Sequence, residues 1–221
     1  MSMPSLDTFT LIALTLARGA WTAAQVAAGA ALIAAGLGLL LALLVVFARH
    51  RVLQWAIAAY IEWMRNVPAL AHLFVLYFGL ASVGVRLSPL TAAVIGLGLV
   101  GAAIVCDVFA AGLRCLHAGQ REAALAVGLT PAQTLRSVLL PQMLRVTLPS
   151  LGNYASQLVK DTSIASAIAA PEVMFYARNL VTSTFETPLI YLTAMLLYAA
   201  MVLPVSWAFT RLERNTARGA R

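Results

Sequence analysis

Long stretches without a charged residue constrain this 221-residue chain more than any other feature. Four gaps contain no Asp, Glu, Lys or Arg: residues 19–48, 66–85, 87–106 and 187–210. A helix that crosses the hydrocarbon core of a bilayer needs about 20 consecutive apolar residues. Each gap is long enough for one crossing, so these segments alone predict four membrane-spanning helices.

The composition excludes the main soluble classes of protein. The chain is 62% hydrophobic and 10% charged, whereas soluble domains have about 25% charged residues. So few charges cannot cover the surface of an ordinary cytosolic enzyme, a disordered protein or a coiled coil. We therefore predict an integral membrane protein with a single domain over residues 1–221.

A fifth span is predicted at residues 147–170, where Lys160 and Asp161 interrupt a segment of mostly small and apolar side chains. The alternative is an amphipathic helix on a soluble surface. We favour a helix inside a membrane bundle, with small residues at its packing surfaces, because the flanking segments are too apolar to leave this helix on a soluble surface. The five predicted spans cover residues 21–47, 60–84, 88–112, 147–170 and 188–210.

The basic residues predict the orientation of the chain, because cytoplasmic loops collect Lys and Arg. With a cytoplasmic C-terminus, ten arginines lie inside and three lie outside. The fold is therefore predicted to be all-α and polytopic, with the N-terminus outside. The net charge of +7 then reflects topology, and no nucleic-acid partner is expected. The inside set is Arg49, Arg51, Arg114, Arg121, Arg136, Arg145, Arg211, Arg214, Arg218 and Arg221; the outside set is Arg18, Arg86 and Arg178.

The predicted cytoplasmic loop between spans 3 and 4, residues 114–145, contains signals for two short helices. The segment 121–127 is rich in Ala and Leu, and Gly128 after it is a plausible left-handed C-cap. Thr130-Pro131-Ala132-Gln133 combines an N-cap, a Pro at the first helical position and a capping Gln. Pro141 is predicted to end the second helix. An ordered helix pair on the cytoplasmic face indicates a docking surface for another protein.

The same loop resembles a known sequence pattern. Glu122-Ala123-Ala124, then Gly128, Val138 and Leu140-Pro141, is similar in residues and spacing to the EAA loop of the membrane subunits of bacterial ABC importers. Val138 stands where Ile is usual. Gly119-Gln120 before Glu122 fits the polar amino acid uptake subgroup.

Further motifs extend this resemblance over roughly residues 10–215. They include Arg65-Asn66-Val67-Pro68, Tyr77-Phe78-Gly79-Leu80, Leu148-Pro149, Gly152-Asn153 and Lys160-Asp161-Thr162-Ser163. The sequence departs from the subgroup in having Asn66-Val67 instead of Gly-Thr, and Asp107 instead of Glu.

The resemblance implies a permease subunit in the bacterial inner (cytoplasmic) membrane. Two such subunits, identical or related, would enclose one pathway. A dimer of cytoplasmic ABC ATPases would bind the coupling helices, and a periplasmic or lipid-anchored solute-binding protein would deliver a polar amino acid or a related small solute. The ATP and Mg would belong to the ATPase, and this chain would hold no cofactor.

No catalytic motif is found in the sequence. A phosphate loop of the form Gly-x-x-x-x-Gly-Lys-Ser/Thr is missing, and so are the zinc-protease and nucleophile-elbow patterns. We therefore expect a transport subunit and not an enzyme, without catalytic residues or metal ligands. The alternative function is an ATP-independent secondary transporter or channel subunit; a scaffolding protein without a pathway is a third class.

Two sets of residues are candidate sites. In the loop, small Ala123 and Ala124 would allow close approach of a partner, Glu122 would pair with a basic residue, and Leu135, Val138 and Leu139 would anchor the second helix. The loop set is Gly119, Glu122, Ala123, Ala124, Gly128, Leu140 and Pro141.

The second set comprises polar residues in or near the spans, where ionisable groups are costly and are functional candidates by default. Carboxylates and basic groups along one pathway would suit a zwitterionic amino acid. The alternative is that they neutralise one another in pairs, Asp107 with Lys160 and Glu62 with Arg65. The pathway set is Glu62, Arg65, Asp107, Lys160, Asp161, Thr162 and Ser163.

Overall fold

The structure is a computed structural model that describes residues 6–48 and 50–218, with side chains described for residues 7–48 and 50–216. The described residues form helices and connections, and no strand occurs among them. Of the predicted inside arginines, Arg49 and Arg221 lie outside the described residues. The α-helices in these two ranges are α1 (Leu6–Phe47), α2 (Arg51–Asn66), α3 (Ala69–Phe74), α4 (Leu80–Ser82), α5 (Pro89–Cys115), α6 (Ala118–Ala126), α7 (Pro131–Thr134), α8 (Leu140–Asp161), α9 (Val173–Thr184) and α10 (Thr187–Arg218).

Three helices in the described part of the chain are long and apolar enough to cross a membrane: α1, α5 and α10. A fourth candidate is the segment from Arg51 to Ser82, which bends by 104° between α2 and α3. The predicted span at 60–84 is therefore broken and not one straight helix. Val67 is extended at the break because it precedes Pro68, whose ring disfavours a helical conformation of the preceding residue.

The second helix of the pair predicted in the loop continues directly into α8. A π-helical turn, Leu135–Leu139, joins α7 to α8, so the prediction that Pro141 ends a helix is wrong. Pro141 lies in the first turn of α8, where the missing backbone N–H of a proline costs little. The prediction assumed a regular α-helix that stops at Pro141. It did not include the wider π-helical turn that precedes this proline.

Helices α1 and α5 run in the same direction and form the most extensive pairing in the fold. A Cβ added to Gly29 would lie 2.9 Å from Val94, and one added to Gly38 would lie 3.0 Å from Val105. The residue that comes later on α1 contacts the residue that comes later on α5, so the two helices are parallel. Glycines at these positions let the two backbones approach closely.

Helix α8 runs antiparallel to both α5 and α10. Gly112 faces Thr147, whereas Gly101, earlier on α5, faces Tyr154, later on α8. On the other side, Gly152 packs on Phe209, whereas Val159, later on α8, lines a pocket together with Ala200, earlier on α10. Glycines on α5 and α8 thus leave room for larger side chains of the neighbouring helices.

A buried glutamate, Glu172, lies just after the predicted span at residues 147–170, where three helices meet. After α8, a 3-10 helix covers Thr162–Ile168, and Glu172 then caps α9. The Glu172 carboxylate accepts hydrogen bonds from the backbone N–H groups of Met174 and Phe175 and, at 2.5 Å, from the Tyr198 hydroxyl of α10. Burial raises the pKa of Glu172, and these hydrogen bonds act in the opposite direction. Gly19 of α1 packs directly on this corner, so α1, α9 and α10 meet at Glu172.

Candidate functional site

Helix α6 contains the Glu-Ala-Ala sequence and ends in the turn that the sequence predicts. The His117 side chain accepts a hydrogen bond of 3.1 Å from the backbone N–H of Gly119 and caps the start of α6. Gly128 has a φ of +86°, a left-handed conformation that glycine adopts without steric cost. The predicted helix followed by a glycine turn is therefore confirmed.

The start of α7 has the predicted capping box. The Thr130 hydroxyl accepts from the backbone N–H of Gln133 at 3.3 Å, and the Gln133 side chain accepts from the backbone N–H of Thr130 at 2.8 Å. Two backbone donors at the helix start are satisfied in this way. The turn between α6 and α7 is thus fixed by short-range contacts.

The two alanines of the Glu-Ala-Ala sequence face different environments. Ala124 is 6% exposed and packs inside the chain, whereas Ala123 and Glu122 are exposed. Val127, one turn further on, is 78% exposed. Glu122 forms no ion pair with any residue that the structure describes. The exposed surface of α6 therefore includes Ala123 and the free carboxylate of Glu122, next to the exposed polar side chains of Gln120 and Arg121. Of the two alanines, only Ala123 can meet a partner.

The inner surface of this helix pair is anchored to the membrane helices. Leu139 is buried in the core cluster that contains Ala42 and Met143, and Leu135 packs against the same cluster. The Arg121 guanidinium lies 5.8 Å from the centre of the Phe47 ring at the end of α1. Gln142 of α8 donates a hydrogen bond of 3.3 Å to Gln120 of α6. Helix α6 is therefore in contact with the ends of both α1 and α8.

The charged residues near the spans pair differently from the two alternatives that the sequence offered. Arg65 of α2 forms an ion pair of 2.6 Å with Asp107 of α5, while Glu62 accepts a hydrogen bond of 2.8 Å from the Asn66 side chain. Within the described part of the chain this is the only ion pair, so Glu62 does not pair with Arg65, nor Asp107 with Lys160.

A cavity of about 560 Å³ opens beside this ion pair, between α2 and α5. Its polar lining includes Glu62, Arg65 and Asp107 from the predicted pathway set, together with Gln54 and Arg114. From the sequence, Arg114 is predicted only as a residue of the loop 114–145. Arg114 faces the cavity because of the way α2 and α5 are rotated against each other, and a local sequence pattern does not predict this rotation.

The remaining pathway candidates lie on another part of the fold, along α8 and the 3-10 helix that follows it. Asn153, Gln157 and Lys160 are exposed on one face of α8, and Gln157 donates a hydrogen bond of 2.8 Å to Asp161. Thr162 is buried with its hydroxyl bonded to the Val159 carbonyl, and Ser163 is half-buried. The structure therefore divides the predicted pathway set into two groups.

The buried residue Glu172 lies outside the predicted sites. Glu172 was missed, because a glutamate after a proline has no distinctive sequence signal for a buried cap.

No group of three or more His, Cys, Asp or Glu side chains in residues 6–48 and 50–218 could hold a metal ion.

Comparison with known proteins places these features in a family. Residues 34–220 match the model of the binding-protein-dependent transport system inner membrane component. The chain is 37% identical over 150 residues to the probable amino-acid ABC transporter permease protein YckA of Bacillus subtilis (strain 168), a match that spans 68% of this chain and 66% of YckA. It is 34% identical over 163 residues to the probable glutamine ABC transporter permease protein GlnM of the same organism, spanning 74% of this chain and 76% of GlnM.

A solved structure with the same fold was also found. A chain from the crystal structure of an amino acid ABC transporter with histidines superposes with a TM-score of 0.86 at 27% sequence identity. The superposition covers 97% of this chain and 100% of that chain.

Proposed function

This chain belongs to the binding-protein-dependent transport system inner membrane components and is the permease subunit of an ABC importer, and we propose that its cargo is a polar amino acid or a related small solute. Its relatives are transport permeases, so the chain is not an enzyme and a separate subunit hydrolyses ATP. The amino-acid and glutamine permeases among the relatives support this class of cargo.

In this proposal the chain crosses the bacterial inner membrane five times, with the N-terminus outside and the C-terminus in the cytoplasm. The parallel pairing of α1 with α5 and the antiparallel pairing of α8 with α5 and α10 support this topology. Helix α8 is not apolar enough to be identified as a span on composition, because one of its faces is polar. The ten-to-three distribution of basic residues supports the orientation.

We infer the position of the pathway from the polar face of α8. Asn153, Gln157 and Lys160 are not covered by any part of the chain that the structure describes, and polar groups exposed to lipid are costly. A second permease subunit that faces α8 would enclose them around a water-filled pathway. In our proposal the cargo passes Lys160, Asp161, Thr162 and Ser163 on α8 and the 3-10 helix, and then Glu62, Arg65 and Asp107 on α2 and α5 at the cytoplasmic end of the pathway.

Coupling to ATP is assigned to the loop between α5 and α8. Glu122 and Ala123 of α6 would contact the ATPase, and Gly119, Ala124, Gly128, Leu140 and Pro141 would hold the helix pair in shape. ATP, with its Mg²⁺, would bind the ATPase dimer and close it. The contacts of α6 with Phe47 and Gln142 would then carry this movement into α1 and α8. A periplasmic solute-binding protein would deliver the cargo.

The observation that supports this proposal best is the exposed, capped helix α6 with Ala123 on its outer surface. We would change Cys115 to Ser, introduce Ala123→Cys, and measure disulfide crosslinking to cysteines in the docking cleft of the ATPase. A crosslink that changes in yield with ATP is expected. Ala81→Cys, an exposed alanine near the end of α4, is the matched control and should give none. Equal crosslinking at both positions would refute the assignment.

The cargo is tested separately. A thermal-shift screen of the cognate solute-binding protein against the amino acids should reveal one polar amino acid that raises its melting temperature. Stabilisation only by sugars or metal ions would overturn the proposed class of cargo.

A further inference from the structure

The cavity between α2 and α5 contains a balanced set of charges, of which only half are paired. Two acids, Glu62 and Asp107, and two bases, Arg65 and Arg114, line it. Arg65 and Asp107 satisfy each other at 2.6 Å. Glu62 bonds only to the neutral Asn66 side chain, and Arg114 forms no ion pair with the described residues. One carboxylate and one guanidinium therefore remain available in the same cavity.

The cavity suits a molecule that has one positive and one negative group. A lone anion at Arg114 would leave Glu62 without a partner, and a lone cation at Glu62 would leave Arg114 without one. A zwitterion satisfies both and leaves the Arg65–Asp107 pair intact. The volume of about 560 Å³ exceeds that of a single amino acid, and Gln54 adds a polar group for its side chain.

The location of the cavity distinguishes it from the α8 face. Arg114 is in the last turn of α5, and α6 begins four residues later at Ala118. Val45, near the end of α1, also lines the cavity. In the proposed orientation these are cytoplasmic ends, so a solute enters the cavity from the cytoplasm.

We propose that this cavity is a second solute site, which binds a zwitterionic amino acid from the cytoplasmic side with its ammonium group on Glu62 and its carboxylate on Arg114. Because α2 and α5 both contribute ligands, an occupied site holds these helices in one arrangement beside the coupling helix. Accumulated amino acid therefore slows further uptake. This inference rests on the proposed function, and it adds feedback inhibition to it.

Binding is measured on the complex of permease and ATPase in nanodiscs, without solute-binding protein and with L-glutamine as the probe. Glu62→Gln and Arg114→Gln should each weaken binding about tenfold or more, because each removes a charge-assisted hydrogen bond. The matched controls Glu186→Gln and Arg86→Gln remove the same charges outside the cavity and should leave the affinity unchanged. Unchanged affinity in both cavity variants would overturn the site.

Two analogues of the probe test the need for both charges. 4-Aminobutanamide lacks the carboxylate of L-glutamine, and glutaramic acid lacks the ammonium group. Each should bind about tenfold more weakly or worse. If either analogue bound as tightly as L-glutamine, the cavity would not be a zwitterion site.

Feedback is measured by uptake of labelled L-glutamine into proteoliposomes that contain ATP. For each variant, the initial rate into vesicles preloaded with unlabelled L-glutamine is divided by its rate into empty vesicles. This ratio should fall well below one for the wild type and stay near one for Glu62→Gln and Arg114→Gln. A wild-type ratio of one would refute the feedback. A lack of ATP-driven uptake into empty vesicles for L-glutamine and for every amino acid that stabilises the solute-binding protein would refute the proposed function instead.

Discussion

The hydroxyl of Tyr154 on α8 packs directly on Gly101 of α5, in the space that any larger side chain at residue 101 would need. Ala34 of α1 approaches the same point, at 2.9 Å from an added Cβ. Three helices thus meet at one glycine, and their spacing depends on the absence of a side chain there.

Gly101→Ala should therefore destabilise the permease, because its Cβ collides with Tyr154. Overpacking of a core typically costs about 1–3 kcal/mol, and the melting temperature of the purified transporter should fall. Adding Tyr154→Phe removes the hydroxyl and should restore part of the loss. Gly36→Ala on α1, where an added Cβ meets no atom within 4 Å, is the control. Equal melting temperatures for Gly101→Ala and Gly36→Ala would contradict this packing.

Gly128→Val should uncouple ATP hydrolysis from transport. A left-handed conformation costs a residue with a Cβ about 1–2 kcal/mol, so the turn after α6 should rearrange. We expect severalfold losses in uptake and in ATPase stimulation by the solute-loaded binding protein.

Gly84 provides a matched control for this experiment. Its φ of +91° is close to that of Gly128, and neither glycine has a neighbouring atom that would block a side chain. Gly84 lies between α4 and α5, at the opposite end of α5 from the coupling loop. Gly84→Val should therefore retain ATPase stimulation. If both valine variants lost stimulation to the same extent, strain in general would explain the result, and the role of Gly128 in coupling would be wrong.

The Arg65–Asp107 ion pair should couple α2 to α5 energetically. Arg65→Gln and Asp107→Asn each leave one charge without its partner, so each should lower the melting temperature. In the double variant no charge remains unpaired, and the total loss should be smaller than the sum of the single losses. Because both side chains are about half exposed, we expect an interaction energy of about 0.2–1 kcal/mol. Strictly additive shifts in a double-mutant cycle would mean that the pair contributes nothing to the packing of α2.

Glu172 should make stability depend on pH. Its pKa is raised by burial in the folded chain, so its stabilising contribution is complete below the unfolded pKa of about 4.3 and is lost as pH rises through the folded pKa. The melting temperature of the wild type relative to Glu172→Gln should therefore decrease as pH rises from about 4 towards neutrality. Glu186→Gln, which removes a carboxylate one helix away, should show no such trend. A difference that increases with pH would contradict the direction of the shift.

The features that the sequence predicts well depend on short-range signals. The capping box at Thr130 and the left-handed turn at Gly128 require only four or five neighbouring residues, and both are present. Pro141 is also a local signal, and it predicted the end of a helix. The helix continues because a π-helical turn precedes this proline, and no short sequence pattern predicts such a turn.

Contacts between helices were beyond the sequence patterns. The Arg65–Asp107 pair joins residues 42 positions apart, and its formation depends on how α2 rotates against α5 after the break at Pro68. Lys160 and Glu62 were reasonable alternative partners by charge alone. Glu172 was missed for the same reason, since its burial results from the meeting of α1, α9 and α10.

The most direct test of the account is ATP-driven uptake into proteoliposomes that contain this permease, its ATPase and the solute-binding protein loaded with its amino acid. We predict uptake when ATP and Mg²⁺ are present on the ATPase side, and none when a proton or sodium gradient is imposed without ATP. Uptake driven by such a gradient through the permease alone, without the ATPase, would contradict the central claim that this chain is the permease of an ATP-driven importer.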